Sequence, residues 1–205
     1  MSGVEIKVAD LTYAVGGHEI LKNVNMEIDR GAFVVVTGPN GSGKTTFLRC
    51  VVGVLKCEGI VEVMGRDPRR DVEVRRGVGY VPQLLPFPPL AVREVVWLHY
   101  KIYGISNGEV LKEWGLAALL DRKVARLSGG ERQRLAWALA LSHKPRVLIL
   151  DEPFNNLDAE GKRLALEKLR ELREKVTVVM AIHEAYEVEK LADAVVRFEG
   201  GMARI

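Results

Sequence analysis

The sequence predicts an α/β fold: a mostly parallel sheet with flanking helices, an N-terminal antiparallel β subdomain and a small inserted α-helical subdomain. The continuous apolar run at residues 147–150 is typical of a strand buried on both faces of a parallel sheet, and residues 177–182 are predicted to form another core strand. Alternating apolar and polar residues at 5–9 and 24–28 instead indicate half-buried antiparallel strands. At 205 residues, the chain is long enough for a single domain, 1–205, with a sizeable core.

The remaining predicted elements alternate between strands and helices along the chain. Strands are expected at residues 33–36, 59–65, 79–81, 195–198 and 202–205. Helices are expected at residues 46–52, from Ser128 as N-cap to about residue 142, and at 159–175.

The inserted helical subdomain is expected at about residues 84–127, within the sheet-bearing core. Its first part, 84–90, contains three prolines and is therefore predicted to be a stiff loop. Apolar residues at helical spacing follow at 92–103, and a second amphipathic pattern follows at 110–120.

Composition and charge narrow the possible partners. The formal net charge is only +3, and the densest basic stretch, at 69–76, is interleaved with acidic residues, so a solvated face is favoured over a nucleic-acid site. No apolar stretch is long enough to span a bilayer, and the N-terminus lacks a signal-peptide pattern. We therefore expect a cytosolic protein, with Cys50 and Cys57 reduced and Cys50 buried as a small apolar residue.

A complete G-x-x-x-x-G-K-[ST] motif lies between the strand at 33–36 and the helix at 46–52. Its residues are Gly38, Pro39, Asn40, Gly41, Ser42, Gly43, Lys44 and Thr45. The glycines let successive N–H groups point at one anion at the positive end of a helix. Lys44 then reaches the β- and γ-phosphates, and the Thr45 hydroxyl can ligate Mg²⁺. A chance glycine turn would not need that strand, that helix and the Lys-Thr pair, so the motif predicts a P-loop NTPase core.

The apolar run at 147–150 ends in two adjacent carboxylates. Asp151 is expected beside the phosphate loop, where it holds Mg²⁺ directly or through water. Glu152 is expected on the far side of the γ-phosphate, where a carboxylate orients and activates the attacking water. The alternative is a strand that merely ends in two surface acids.

Two further side chains are ambiguous on the residues alone. His183 follows the strand at 177–182, and a histidine there is often structural. Aimed at the same edge as Glu152, its imidazole would instead donate to a γ-phosphate oxygen. Gln83, after the strand at 79–81, is equally well an ordinary loop amide.

Ser128, Gly129 and Gly130 precede a helix and form a second predicted anion site. The site combines a hydroxyl, flexible backbone N–H groups and a helix N-terminus. One nucleotide does not need two such nests in one chain. The second nest is explained if it serves the ATP of another subunit.

On these motifs the chain resembles the nucleotide-binding subunit of an ATP-binding cassette (ABC) transporter, over essentially its whole length. Residues 38–45 match the Walker A loop of that family, 147–153 match Walker B, and 127–131 match the signature motif without a substitution. Gln83 matches the Q-loop glutamine, and His183 matches the switch histidine.

The resemblance implies a head-to-tail dimer in which two ATP molecules with Mg²⁺ are held between Walker A of one subunit and the signature of the other. Catalytic roles are implied for Glu152, His183, Lys44 and Gln83. Contacts with Mg²⁺ are implied for Thr45, Gln83 and Asp151. Nucleotide contacts outside the two motifs are implied for Tyr13, Thr46 and Asp158. Tyr13 would stack on adenine, and an ordinary packed aromatic remains the alternative.

The sequence departs from the family pattern at three places. Phe154 stands where many relatives have Thr or Ser, and Asn156 stands before Leu157-Asp158 where a small residue is more usual. The segment between Gln83 and the signature is short and proline-rich for the family. The change at Asn156 bears on the detail of the contact between subunits.

The resemblance favours transport: this subunit would form a homodimer or heterodimer and dock on a separate integral membrane protein through residues 83–103. It would then be peripheral on the cytoplasmic face of the membrane, with no direct contact with nucleic acid. The alternative is a soluble ABC ATPase acting on ribosomes, DNA or iron–sulfur assembly. A kinase or GTPase is disfavoured by the signature and by the lack of an Asn-Lys-x-Asp motif. The transported substrate does not follow from these residues.

Overall fold

Two β-sheets organise the chain, and the computed structural model describes residues 3–105, 109–183 and 188–204. The strands are β1 Val4–Val15, β2 His18–Asp29, β3 Phe33–Thr37, β4 Glu58–Val63, β5 Val78–Val81, β6 Val147–Asp151, β7 Thr177–Ala181, β8 Ala194–Glu199 and β9 Met202–Arg204. The helices are α1 Lys44–Val51, α2 Val72–Arg76, α3 Val92–Tyr103, α4 Glu109–Glu113, α5 Gly129–Ser142 and α6 Ala159–Leu172.

The first sheet is antiparallel, in the order β2-β1-β4. β1 and β2 are joined through Gly16 and Gly17, whose φ angles of 57° and 80° suit a tight hairpin turn. The second sheet has the order β5-β6-β7-β3-β8-β9, and all of its pairs are parallel except β8 with β9.

The parallel sheet lies between two apolar clusters, which explains its continuous apolar strands. In β6, Leu148 and Leu150 pack into the cluster that contains α5 and α6 residues. Val147 and Ile149 pack into the cluster shared with α1 and the antiparallel sheet. Every residue of β6 and β7 is buried, because alternate side chains enter opposite cores.

The register of the parallel strands brings four loops to one edge of the sheet. Asp151 pairs with Ala181, and Ala181 pairs with Val36. On the outer side, Val81 pairs with Leu150. The segments that follow β3, β5, β6 and β7 therefore leave the sheet at the same level.

Most predicted elements are confirmed, and the differences have local causes. α3 has the predicted bounds, whereas β1 and β2 are each 12 residues long and extend well beyond the alternating segments. α6 ends at Leu172, so the predicted end at residue 175 was wrong; Glu174 has a φ of 64°, which is incompatible with a helix. The last residue of the predicted 202–205 strand lies outside the described residues.

Two helical features were not predicted correctly. The pattern at 110–120 is not one helix: α4 ends at Glu113, Gly115 has a φ of 68°, and a 3-10 turn spans Ala117–Leu119. The short helix α2 was missed within the basic stretch, where Asp71 caps the helix by accepting from the N–H groups of Glu73 and Val74.

The basic stretch itself is paired with acids, as the solvated-face interpretation requires. Arg69 contacts Asp67 at 2.8 Å, and Arg76 contacts Glu73 at 2.7 Å. Both cysteines are free and buried, which confirms the prediction for Cys50. Within the described ranges, no helix has the length and apolar character that crossing a bilayer requires.

Candidate functional site

The phosphate loop follows β3 and ends at the N-terminus of α1. Gly38 has a φ of 139°, and a Cβ there would lie 2.2 Å from the Phe198 carbonyl oxygen. Gly43, the N-cap of α1, has a φ of 106°, and a Cβ would lie 2.9 Å from the Leu21 Cδ2 atom. Only glycine fits at both positions, because the backbone is left-handed and neighbouring atoms leave no room. The loop is therefore shaped by the fold before any ligand arrives.

Lys44 is held against this loop. Its Nζ donates to the Gly38 carbonyl at 2.6 Å and to the Pro39 carbonyl at 3.2 Å, and only 7% of the residue is exposed. A cation fixed in this way costs little reorganisation when it meets a phosphate oxygen. The predicted partnership of loop and lysine is thus present in the geometry.

Asp151 lies at the end of β6 and contacts the first turn of α1. Its Oδ1 accepts from the Thr45 hydroxyl at 3.1 Å, and the residue is 1% exposed. Burial raises the pKa of the Asp151 carboxyl, while the Thr45 hydroxyl and the positive charge of Arg49 oppose that rise. The Oδ2 atom is buried and has no hydrogen-bond partner in the described part of the chain.

This donor set fits Mg²⁺. A buried carboxylate oxygen that lacks a partner, next to a threonine hydroxyl, presents the hard oxygen ligands that Mg²⁺ prefers. Among the described residues, no group of three or more His, Cys, Asp or Glu side chains is close enough to hold a metal alone. Thr45 and Asp151 therefore suit an ion that takes its other ligands from water and from phosphate oxygens.

Glu152 adopts a constrained backbone next to Asp151. Its φ is 49°, a left-handed conformation that is unfavourable for a residue with a Cβ. Its N–H donates to the Ala181 carbonyl at 2.9 Å, which fixes the residue beside the end of β7. Burial raises the pKa of the Glu152 carboxyl, and the charge of Lys44 opposes this rise. A carboxylate of raised pKa in such a site is suited to accepting a proton.

Gln83 and His183 approach the two carboxylates from neighbouring strands. Burial raises the pKa of both carboxyls; a hydrogen bond from the Gln83 backbone opposes the rise at Asp151, and one from the His183 backbone opposes the rise at Glu152. Gln83 and His183 are otherwise exposed. The structure thus brings together five of the predicted site residues from four loops: Lys44, Gln83, Asp151, Glu152 and His183.

Tyr13 lies on β1 opposite Leu21, whose side chain borders Gly43 of the phosphate loop. The ring of Tyr13 is partly buried against the apolar cluster of the antiparallel sheet. This position is compatible with both interpretations made from the sequence, because the residue is packed and also lies one strand from the loop.

The second predicted anion site, formed by Ser128, Gly129 and Gly130, is called here the signature cradle. Ser128 caps α5 in a reciprocal box: its Oγ accepts from the Glu131 N–H at 3.1 Å, and its N–H donates to the Glu131 carboxylate at 2.7 Å. A Cβ on Gly130 would lie 2.8 Å from the Asn156 carbonyl oxygen. The cradle is thus preformed and packed against the loop that follows Glu152.

The signature cradle opens on a cleft of about 500 Å³ rather than on the phosphate loop. The cleft is lined by Ser128, Gly130, Glu131, Arg134, Asn156 and Asp158, together with Gly115, Leu116 and Leu119. Asp158 caps α6 by accepting from the Gly161 N–H at 2.9 Å, and it also accepts from Arg134 at 2.6 Å. None of the phosphate-loop residues lines this cleft, so the two predicted anion sites are separate in the chain.

Arg134 and Asn156 line this cleft but were not identified as site residues from the sequence. Arg134 lies four residues after Gly130, on the same face of α5, and that helical spacing was the available signal. Asn156 was noted only as a departure from a family pattern. Its φ of 63° explains the residue type, because asparagine tolerates the left-handed conformation.

Comparisons with known proteins agree on one family. The family model described as "ABC transporter" matches residues 21–155. The lactose transport ATP-binding protein LacK of Rhizobium radiobacter is 35% identical over 211 residues, which cover 97% of this chain and 58% of that protein. The molybdate/tungstate import ATP-binding protein WtpC of Archaeoglobus fulgidus is 39% identical over 187 residues, which cover 84% of this chain and 75% of that protein.

Solved structures extend the similarity to three dimensions. A dimeric structure of a bacterial ABC transporter cassette superposes with a TM-score of 0.86 at 30% identity, over 98% of this chain and 97% of that one. The same cassette in a post-hydrolysis state, bound to ADP and Pi, gives a TM-score of 0.85 at 28% identity. The chain spans somewhat more than half the length of LacK and nearly all of the solved cassette.

Proposed function

This chain belongs to the ABC transporter family, and we propose that it is the ATP-hydrolysing subunit of a transporter whose membrane-spanning part is a separate protein. The observation that carries the proposal is the presence of two separate anion sites in one chain. The phosphate loop has Lys44, Asp151 and Glu152 around it, and the signature cradle lies in a different cleft. A head-to-tail pair of chains would unite them.

In the proposed site, the loop binds the phosphates of ATP. Backbone N–H groups of the loop and of Thr45 and Thr46 point to the phosphates, and Lys44 contacts the β- and γ-phosphates. Tyr13 stacks on the adenine. Thr45 and Asp151 would hold Mg²⁺, and Gln83, at the start of the loop after β5, would contribute to its environment. When bound, Mg²⁺ neutralises charge on the β- and γ-phosphate oxygens.

Hydrolysis follows from the placement of Glu152. Its carboxylate orients a water molecule in line with the bond between the γ-phosphorus and the β,γ-bridging oxygen, and accepts a proton from that water. The new P–O bond forms to the water oxygen, the bond to ADP breaks, and ADP leaves with the bridging oxygen. His183 donates to a γ-phosphate oxygen, and Lys44 stabilises the charge that develops there.

The partner chain completes each site. Ser128, Gly129 and Gly130 of one chain contact the γ-phosphate bound by the other, and Asp158 lies at the same contact. Because ATP bridges the two chains, ATP binding favours the closed dimer, and ATP hydrolysis lets the dimer open.

The segment at residues 84–127 is proposed to be the inserted helical subdomain that receives the membrane partner. Between this segment and the parallel sheet lies a groove of about 320 Å³, lined by apolar and aromatic side chains that include Tyr80, Phe87 and Tyr103. Gln83 begins the same loop. A helix that docks in the groove would therefore affect the position of Gln83 and, through it, the Mg²⁺ site. The protein would then work at the cytoplasmic face of a membrane.

The test replaces Glu152 with glutamine, which keeps the shape of the side chain and removes the base. We expect Glu152→Gln to retain ATP binding while the rate of phosphate release falls on the order of 10²- to 10³-fold. The exposed Glu58→Gln serves as the control. A wild-type chain that releases no phosphate from Mg²⁺–ATP would contradict the activity, and an unchanged rate in Glu152→Gln would remove that residue from the mechanism.

A further inference from the structure

A carbonyl one residue after Glu152 is bound by two buried side chains of α5. The Pro153 carbonyl oxygen accepts from Gln133 Nε2 at 3.0 Å and from Trp137 Nε1 at 2.9 Å. Gln133 is 2% exposed, and Trp137 is fully buried. Two donors use both lone pairs of this oxygen, so the carbonyl is fixed in direction as well as in position.

The Pro153 carbonyl lies next to a residue whose backbone conformation is enforced by its surroundings. Glu152 has a φ of 49°, and a residue in that conformation keeps it only where the surrounding contacts enforce it. On one side the enforcing contact is its own N–H bond to Ala181. On the other side the next residue is Pro153, whose φ is fixed by its ring, so the two hydrogen bonds to its carbonyl set the remaining freedom.

The donors stand on the helix that begins at the signature cradle. Gly130, Gln133, Arg134 and Trp137 follow the spacing of one helical face, and all four contact the segment at 153–158. Trp137 also stacks on Trp114, which follows α4, with ring centroids 5.4 Å apart and planes inclined by 16°. A movement of α5 would therefore be transmitted to the Pro153 carbonyl, because both donors stand on that helix.

We propose that Gln133 and Trp137 are positioning residues that set the placement of the Glu152 carboxylate through the Pro153 carbonyl. The proposal rests on the proposed ATPase function. It deepens that function because α5 presents its cradle to the nucleotide of the partner chain. Contact at the cradle in one composite site is then coupled, through one rigid helix, to the catalytic base of the other site.

The test compares two tryptophan-to-phenylalanine changes in the same stacked pair. Trp137→Phe keeps an aromatic ring against Trp114 and removes the N–H donor to Pro153. Trp114→Phe is the matched control, because it is equally buried and its Nε1 has no hydrogen-bond partner within the described residues. We expect Trp137→Phe to lower kcat about tenfold with the KM for ATP unchanged, since small displacements of a catalytic group reduce rate more than binding. We expect Trp114→Phe to leave both values unchanged.

A second variant and a spectroscopic measurement protect the test against a folding defect. Gln133→Met removes the other donor without burying an unpaired group, and it is expected to lower kcat in the same way. In the ¹⁵N-labelled wild-type chain, the indole N–H signal of Trp137 should exchange slowly with solvent, and that of Trp97, which is 61% exposed, should exchange quickly. Trp114→Phe should leave the protected Trp137 signal in place.

The possible outcomes distinguish the ATPase function from the positioning role of Gln133 and Trp137. A wild-type chain without hydrolysis would remove the proposed function and this inference with it. Hydrolysis in the wild type with equal kcat values for Trp137→Phe and Trp114→Phe, or an unprotected Trp137 indole, would overturn only the positioning role. A selective fall of kcat in Trp137→Phe and Gln133→Met supports it.

Discussion

The phosphate loop and the signature cradle are both anion sites at helix N-termini, but their polar groups are in opposite states. Around the loop, the Ser42 hydroxyl and the Asp151 Oδ2 are buried without a partner among the described residues. In the cradle, the Ser128 hydroxyl and N–H are both paired with Glu131. The loop is a desolvated site with unpaired polar atoms, whereas the side-chain polar groups of the cradle are already paired within the chain.

This difference indicates how the two sites are used. Unpaired buried groups are costly, and a ligand that pairs them recovers that cost, so the loop is built to bind by itself. Among the described residues, no cradle side chain has a buried polar atom without a partner. The cradle offers fixed N–H groups and a helix dipole, which act when a phosphate is brought to it from another chain.

The largest expected effect separates turnover from binding. In Gly130→Ala the new Cβ meets the Asn156 carbonyl at 2.8 Å, which displaces the cradle. We expect hydrolysis to fall on the order of 10²- to 10³-fold, as loss of a transition-state donor does, while the affinity of the isolated chain for ATP is unchanged. Steady-state phosphate release and calorimetric titration measure the two quantities. Gly3→Ala, in open space, is the control. Equal losses of affinity and rate would contradict the claim that the cradle acts in turnover and not in ATP binding.

Lys44→Ala is expected to lower ATP affinity as well as turnover, unlike Gly130→Ala. The Nζ atom is clamped to the Gly38 and Pro39 carbonyls, and it supplies a charge-assisted contact with phosphate. ATP affinity should fall about 100-fold, because hydrogen bonds to charged groups are among the stronger ones in proteins. Lys56→Ala removes an exposed lysine and should leave affinity unchanged. Calorimetric titration that gave wild-type affinity for Lys44→Ala would show that the loop binds without its lysine.

Two glycines of the loop separate the cost of backbone strain from the cost of a steric clash. Both Gly41 and Gly43 have positive φ angles, 76° and 106°. A Cβ on Gly41 meets no atom within 4 Å, whereas one on Gly43 meets Leu21 at 2.9 Å. Gly41→Ala should therefore cost about 1 kcal/mol of unfolding free energy, from backbone strain alone. Gly43→Ala should cost about 2–3 kcal/mol because it adds a clash with the core. Urea denaturation measures both, and equal costs would contradict a loop shaped by packing.

The smallest expected effect concerns the cradle as a cap. Ser128→Ala removes the acceptor for the Glu131 N–H, which should lower the unfolding free energy by about 1 kcal/mol. Lys56→Ala, at an exposed position, is the control for stability. Wild-type stability of Ser128→Ala in thermal unfolding would show that the hydroxyl does not cap α5, contrary to the structure.

The sequence was most informative where one local pattern decides the structure. α3, β6 and β7 follow directly from apolar periodicity, and the loop follows from its glycines and Lys44. The break after α4 depends on a single glycine conformation at Gly115, and α2 depends on a cap at Asp71, so both were hidden by a plausible alternative pattern. Element ends such as that of α6 are set by individual φ angles that periodicity does not report.

The functional site likewise has parts that the sequence predicts and parts that only the structure shows. Loop, carboxylates and cradle could be named from the sequence because each is a contiguous motif. The bonds from Gln133 and Trp137 to Pro153 could not, because they join segments 16 and 20 residues apart. In the sequence Trp137 reads as an apolar residue of a buried helix. Only the packing of α5 on the loop after β6 shows that its N–H is used.

The central claim is that each working site is made by two chains, and mixing two inactive variants tests it most directly. Lys44→Ala retains an intact cradle, and Gly130→Ala retains an intact loop. Each alone should hydrolyse ATP very slowly, and a mixture should regain activity in proportion to the mixed dimer present. Mixed dimers that are demonstrably formed but remain inactive would contradict shared sites, as would full turnover by a strictly monomeric wild-type chain.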